Sequence, residues 1–222
     1  MKRISVLLRS AALIHCMLIA APALAQTVDQ SRHSFGGAEK WAHVFDDPAR
    51  DAWQKPHEVL QALKLAPDAS VADIGSGTGY FAVRLAHQVP KGRVYGVDAE
   101  PDMVRYLAER ARREGLANLI AVAAKPEDPG IPSAVDLVIL VDTYHHLPDR
   151  ERYFRNLQKS LKPGGRLAII DFTLDSPVGP PRRARIPGNQ VKQELARAGY
   201  RLEQEHAFLP HQYFLEFVPA KR

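Results

Sequence analysis

Residues 71–80 read Val-Ala-Asp-Ile-Gly-Ser-Gly-Thr-Gly-Tyr, a short β-rich apolar run that passes through three alternating glycines into a helical segment. Glycine is needed where the backbone must take dihedrals closed to other residues and where a ligand must touch main chain. Gly75, Gly77 and Gly79 are those positions, with Ser76 inside the loop and Asp73 on the strand that feeds it. Nineteen residues beyond Gly79, Asp98 ends the next apolar run. A carboxylate at that place can accept hydrogen bonds from both hydroxyls of a ribose. The order strand, loop, helix, strand, acid constrains the chain far more than the glycines do alone, because it calls for a βαβ unit with a ligand at the carboxyl edge of its strands. The dinucleotide fingerprint would need glycine where Tyr80 stands, and a P-loop would need a lysine, so both phosphate-binding readings are disfavoured.

The rest of the chain extends that unit. Apolar runs at 71–74, 94–98, 119–123, 137–141 and 167–171 are nearly continuous, as befits parallel strands covered on both faces. Between them Pro101 opens a helix with Met103, Val104, Leu107 and Ala111 on one side, and Asp149 opens another with Tyr153, Phe154, Leu157 and Leu161 inward. Pro163-Gly164-Gly165 is expected to stop that second helix and turn the chain into the next strand. A helix over 188–198 leads to strands at 200–207 and 213–218, joined closely enough for an antiparallel pair. The length of 222 residues, 45% of them hydrophobic, suits one domain, placed at 53–222. Residues 26–52 read as a polar, irregular arm, able to cover a site.

On these residues the chain resembles the class I S-adenosylmethionine-dependent methyltransferases. Asp73, Gly75, Gly77 and Gly79 match the family's first motif, and Asp98 matches its ribose-binding acid. Residues 136–142 are similar to the fourth motif, and the run Leu161-Lys162-Pro163-Gly164-Gly165-Arg166-Leu167 to the turn before the fifth strand. The resemblance implies an α/β fold, a doubly wound, Rossmann-like sheet of seven mostly parallel strands with an antiparallel last strand. It implies S-adenosyl-L-methionine as cofactor, with the glycine loop and Ser76 facing its methionine part. One departure concerns adenine: where relatives often place an acid after the third strand, this chain reads Ala123-Ala124-Lys125-Pro126-Glu127-Asp128. A charged lysine cannot accept a hydrogen bond. Glu127 or Asp128 from a shifted position, a backbone carbonyl, or apolar packing would have to serve.

Chemistry is expected at the strand ends, where a doubly wound sheet puts its ligands. Asp142-Thr143-Tyr144-His145-His146 leaves the fourth strand there. His145 and His146 are candidate general bases, since imidazole titrates near neutral pH. Tyr144 is a candidate for packing on the cofactor or orienting the substrate, and Asp142 for binding the cofactor's ammonium or holding a histidine tautomer. The bland alternative is one histidine capping the following helix and the other packed in the loop. No metal site is expected, because adjacent ligands without a distant partner make a poor case.

The first 25 residues carry Lys2, Arg3 and Arg9, an apolar stretch and a closing Ala23-Leu24-Ala25. They read as a signal peptide cut after Ala25, which predicts an exported, periplasmic protein without stable membrane insertion once cut. The one cysteine, Cys16, lies inside this segment, so the cut chain has neither disulfide nor thiolate chemistry. Setting the segment aside leaves 27 basic against 25 acidic residues, which argues against nucleic acid as partner and for a small-molecule substrate. An enzyme methylating a small molecule is the leading expectation. An exported binding protein that keeps the fold without turnover is the alternative.

Overall fold

The computed structural model describes residues 36–125 and 127–220; the expected signal segment and residues 26–35 of the expected arm lie outside them. The element order begins with three helices, α1 (Ala38–Phe45), α2 (Asp51–Gln54) and α3 (Pro56–Leu63). The body follows as β1 (Ser70–Ile74), α4 (Tyr80–Gln88), β2 (Arg93–Asp98), α5 (Pro101–Arg113), β3 (Leu119–Ala123) and β4 (Val135–Val141). It closes with α6 (Arg150–Leu157), β5 (Leu161–Phe172), α7 (Gly188–Arg197), β6 (Tyr200–His206) and β7 (Gln212–Pro219).

The strands make one seven-stranded sheet in the order β3-β2-β1-β4-β5-β7-β6, in which β1 to β5 pair parallel and β7 runs antiparallel to both its neighbours. Side chains alternate across a strand, so a strand that is apolar throughout needs a cover on each face. On β4, Leu137 and Ile139 enter one core while Val138 and Leu140 enter the other, and all four are wholly buried. Leu63, Leu85 and Leu107 of α3, α4 and α5 close the first core; Phe154, Leu157 and Leu195 of α6 and α7 close the second. Each such burial stabilises the fold by about 1.5–3 kcal/mol relative to exposure.

The register sets the functional edge. Ile74 of β1 lies beside Val97 of β2 and Leu140 of β4, so Gly75, Asp98 and Asp142 leave their strands close together. The chain turns one way from β1 to β2 and β3, and the other way to β4 and β5, which opens the crevice between β1 and β4.

Two expectations are corrected here. Pro163-Gly164-Gly165 does not stop the second helix: α6 ends at Leu157, a 3-10 turn covers Gln158–Ser160, and the Pro-Gly-Gly run forms a bulge within β5. The pairing jumps from Val135↔Leu161 to Leu137↔Arg166, and the extra residues are looped out, with Gly164 at φ 80°. The arm is not irregular where it is described, since α1, the 3-10 turn Pro48–Arg50 and α2 are helical. Asp47 caps that turn by accepting from Ala49 N at 2.9 Å.

Candidate active site

The glycine loop is held by main chain and by one acid. Gly75 N and Ser76 N both donate to Val97 O, at 2.8 and 3.0 Å, which ties the loop to the end of β2. Gly77 N donates to Asp98 Oδ2 at 2.8 Å, while Asp98 Oδ1 accepts from Glu100 N at 3.0 Å. Gly75 has φ 75°, and a Cβ there would lie 2.2 Å from Thr143 Oγ1, so the loop touches the segment that leaves β4. A Cβ on Gly79 would lie 2.4 Å from Leu107 Cδ1, which explains its part in seating α4 against α5.

The loop is also unusually rich in polar groups for so buried a place. Ser76 Oγ and Thr78 Oγ1 are buried without a hydrogen-bond partner, an arrangement that costs stability unless a ligand uses it. The Asp73 carboxyl is pushed up to about 7, first by burial and then by the charge of Asp98, with a backbone hydrogen bond from Ala82 opposing. Burial likewise raises Asp98, against the backbone hydrogen bonds from Glu100 and Gly77. Two destabilised carboxylates beside a loop free of side-chain bulk favour a cationic ligand, so the residues present fit a sulfonium cofactor with a ribose.

Asp142 begins the segment after β4 with φ 56°, a left-handed conformation that a non-glycine residue adopts at a cost. Its carboxylate accepts from Gln54 Nε2 at 2.9 Å, from Arg50 at 3.3 Å and from Gln212 Nε2. Burial and then the charge of Asp171 push it up to about 7, against Arg50. Three residues on, His145 Nδ1 lies 2.9 and 3.0 Å from the two oxygens of Asp171, and His145 N donates to Asp171 Oδ2 at 3.2 Å. The two side chains are only 5% and 1% exposed, so the pair is sheltered from competing water. Asp171 acts here as the partner that fixes a histidine tautomer, a role the sequence suggested for Asp142. His146 packs against His145 with the two rings tilted by 40°, their centroids 4.1 Å apart.

Two sequence-predicted site residues lie elsewhere. Tyr144 is wholly buried in the second core, stacked on Phe154, and donates its hydroxyl to Glu194 Oε2 at 2.6 Å. The cause is the 3-10 turn Tyr144–His146, in which successive side chains point about 120° apart, sending the tyrosine inward and His145 to Asp171. Burial raises Glu194, yet hydrogen bonds from Arg150, Tyr144 and Gln190 and the charge of Arg150 bring it down to about 2. Glu127 is on the surface, its side chain 73% exposed and 3.4 Å from Arg152. Lys125 and Asp128 exchange backbone hydrogen bonds across the turn, which holds Glu127 at an outward tip.

The sequence reading did not foresee that Asp171 pairs with His145, or that Arg50, Gln54 and Gln212 meet at Asp142. Asp171 had a signal, an acid closing an apolar strand, the same one that marked Asp98. Arg50 and Gln54 had none, being about ninety residues from the Asp142 they meet. They belong to the cover. Asp46 pairs with Arg110 at 2.8 Å, Asp51 accepts from the Tyr80 hydroxyl and lies 3.2 Å from Arg84, and a Cβ on Gly77 would meet the Phe45 ring at 3.3 Å. Gly37 N donates to Asp102 Oδ2 at 2.8 Å. Two open cavities, of about 910 and 290 Å³, lie at the opposite edge of the sheet, around Leu161, Pro163 and Arg201 and around Lys64, Asp68 and Asp136. The glycine loop is roofed by the cover.

Comparison with known proteins agrees with this geometry. A family model described as a methyltransferase domain matches residues 65–207. Methyltransferase GfsG of Streptomyces halstedii is 29% identical over 131 residues, 58% of this chain and 47% of that protein. An arsenite methyltransferase of Halobacterium salinarum is 31% identical over 115 residues, 51% of this chain and 29% of that one. The chain therefore spans about half or less of the length of these curated relatives. The crystal structure of a SAM dependent methyltransferase from Aquifex aeolicus superposes with a TM-score of 0.75 at 28% identity, covering 81% of this chain and 97% of that one.

Proposed function

Because the chain belongs to the methyltransferase-domain family, we propose that it transfers a methyl group from S-adenosyl-L-methionine to a small molecule whose nucleophilic atom carries a proton. The observation that carries the reading is the clasp between Gly77 N and Asp98, which aims a glycine loop and a strand-end acid at one place. When bound, the cofactor supplies an electrophilic methyl group on a sulfonium. In that reading Asp98 accepts hydrogen bonds from the ribose hydroxyls, and Gly75, Ser76 and Gly77 offer close main-chain approach to the amino-acid part. With Glu127 turned outward, adenine rests on backbone and apolar contacts.

His145 is the group that receives the acceptor's proton. With Nδ1–H directed at Asp171, the other ring nitrogen, Nε2, keeps its lone pair, and the imidazolium formed on proton transfer is stabilised by the buried carboxylate. Methyl transfer otherwise requires mainly that nucleophile and methyl be held in line without water. The cover meets that need. A non-catalytic binder has no use for an imidazole oriented by a buried carboxylate, so no observation favours that alternative.

Calorimetric titration tests the reading. S-adenosylmethionine and its demethylated product bind the protein in the micromolar range while NAD does not, and Asp98→Ala weakens both ligands by about 1.5–3 kcal/mol, as for a lost charged hydrogen bond. Unchanged affinity in Asp98→Ala would refute the ribose role. We further propose export to the periplasm, supported by the basic, apolar and small-residue pattern of residues 1–25. Fractionation of a bacterial host followed by N-terminal sequencing should recover periplasmic protein beginning at Gln26; cytoplasmic protein beginning at Met1 would overturn it.

A further inference from the structure

We infer that Arg50, a residue of the cover and not of the α/β body, binds the carboxylate of the cofactor's amino-acid end while Asp142 receives its ammonium. The inference rests on the cofactor reading above and assigns to the cover a direct part in binding. An α-amino acid group carries both charges on one carbon, so its complement is a fixed anion and a fixed cation held near each other but not locked together. Arg50 and Asp142 have that relation.

The guanidinium lies over the Tyr80 ring, 4.3 Å from its centroid, with the Trp53 ring 5.9 Å away. Tyr80 is the first residue of α4 and directly follows Gly79, so the cation is parked at the junction of glycine loop and helix. Its side chain is 16% exposed and that of Asp142 is 20% exposed, so both charges are largely withdrawn from water.

Yet the pair is incompletely joined. Arg50 NH2 is 3.3 Å from Asp142 Oδ2, longer than the roughly 2.7–2.9 Å of a charge-assisted hydrogen bond. The closer partners are neutral: Arg50 donates to Gln54 Oε1 from Nε at 2.9 Å and to Phe45 O, while Asp142 accepts from Gln54 and Gln212 amides. The cover's three acids around it are engaged elsewhere, Asp46 with Arg110, Asp47 with Ala49 N, and Asp51 with Tyr80 and Arg84. A zwitterion entering here exchanges one loose ion pair for two close ones. It also links cofactor binding to closure of the cover, because Arg50 and Asp142 sit on opposite sides of that seam.

The test is a thermodynamic cycle on the full chain with two stable ligands: S-adenosylhomocysteine, and the same thioether with a 3-aminopropyl group in place of the amino acid, which lacks only the carboxylate. Wild type should bind the first at least about tenfold more tightly than the second. Arg50→Gln should lose about tenfold or more for S-adenosylhomocysteine and change less than about twofold for the decarboxylated ligand. Arg50→Lys, which keeps the charge without the fork, should fall between, and covers the case in which Arg50→Gln does not fold. Asp46→Asn loosens the cover at another contact and should weaken both ligands by one common factor. If Arg50→Gln does the same, or has no effect, the assignment is overturned while the cofactor reading stands. If wild type binds neither ligand, the cofactor reading falls and the assignment with it.

Discussion

His145→Ala is expected to lower kcat by about 10²–10⁴-fold while leaving S-adenosylmethionine affinity within about twofold of wild type. The argument is geometric. The imidazole is held by contacts of 2.9 and 3.0 Å to both oxygens of Asp171, so deleting the ring removes an oriented proton acceptor, and the hydrogen bonds that hold the glycine loop do not involve it. Asp171→Asn separates the two functions of the pair. Its amide has an NH2 donor that can face Nδ1, which favours the tautomer with the proton on Nε2, and turnover should fall although the ring remains. The two variants together, read by kcat and by cofactor titration, decide the assignment. A loss of cofactor affinity in His145→Ala equal to that of Asp98→Ala would move the histidine into the cofactor pocket, and unchanged kcat would remove it from the chemistry.

Gly75→Ala should destabilise the protein by about 2–4 kcal/mol, the sum of an overpacked contact and a left-handed residue with a side chain. The added Cβ would stand 2.2 Å from Thr143 Oγ1 and 2.5 Å from Thr143 Cγ2, and φ is 75°. Thr143 cannot swing away freely, because its hydroxyl donates to Val141 O at 2.9 Å. Thermal unfolding should show Tm lower by about 5–15 °C, and cofactor binding should be lost together with it, since the loop must shift to relieve the clash. Adding Thr143→Gly frees the space without changing the backbone dihedral, so it should restore the steric part only. Wild-type Tm in Gly75→Ala would show that the loop does not lean on Thr143.

How much of this was legible in the chain follows from what each residue depends on. Strands such as 137–141 were legible because a doubly covered strand is apolar at every position, and the observed β4 adds only two residues to it. The glycine loop and Asp98 were legible because each answers to its immediate neighbours. The helices of the cover were not, since α1 spans eight residues and offers too short a stretch for its period to stand out among polar residues. Tyr144 shows the limit most clearly. Beside two histidines at a strand end it reads as a site residue, but the 3-10 turn rotates it into the core and onto Glu194, fifty residues away.

The sequence by itself determined the fold class and the meeting of the glycine loop with Asp98 at the strand ends, because periodicity, glycine dihedrals and a strand-end carboxylate are local properties that no partner can supply. Only the tertiary structure decided which acid orients His145, that Glu127 faces solvent, and that Arg50 and Gln54 meet Asp142. Those are pairings between segments far apart in the chain, and they are fixed by sheet order and by the packing of the cover over the strand ends, which no single segment encodes.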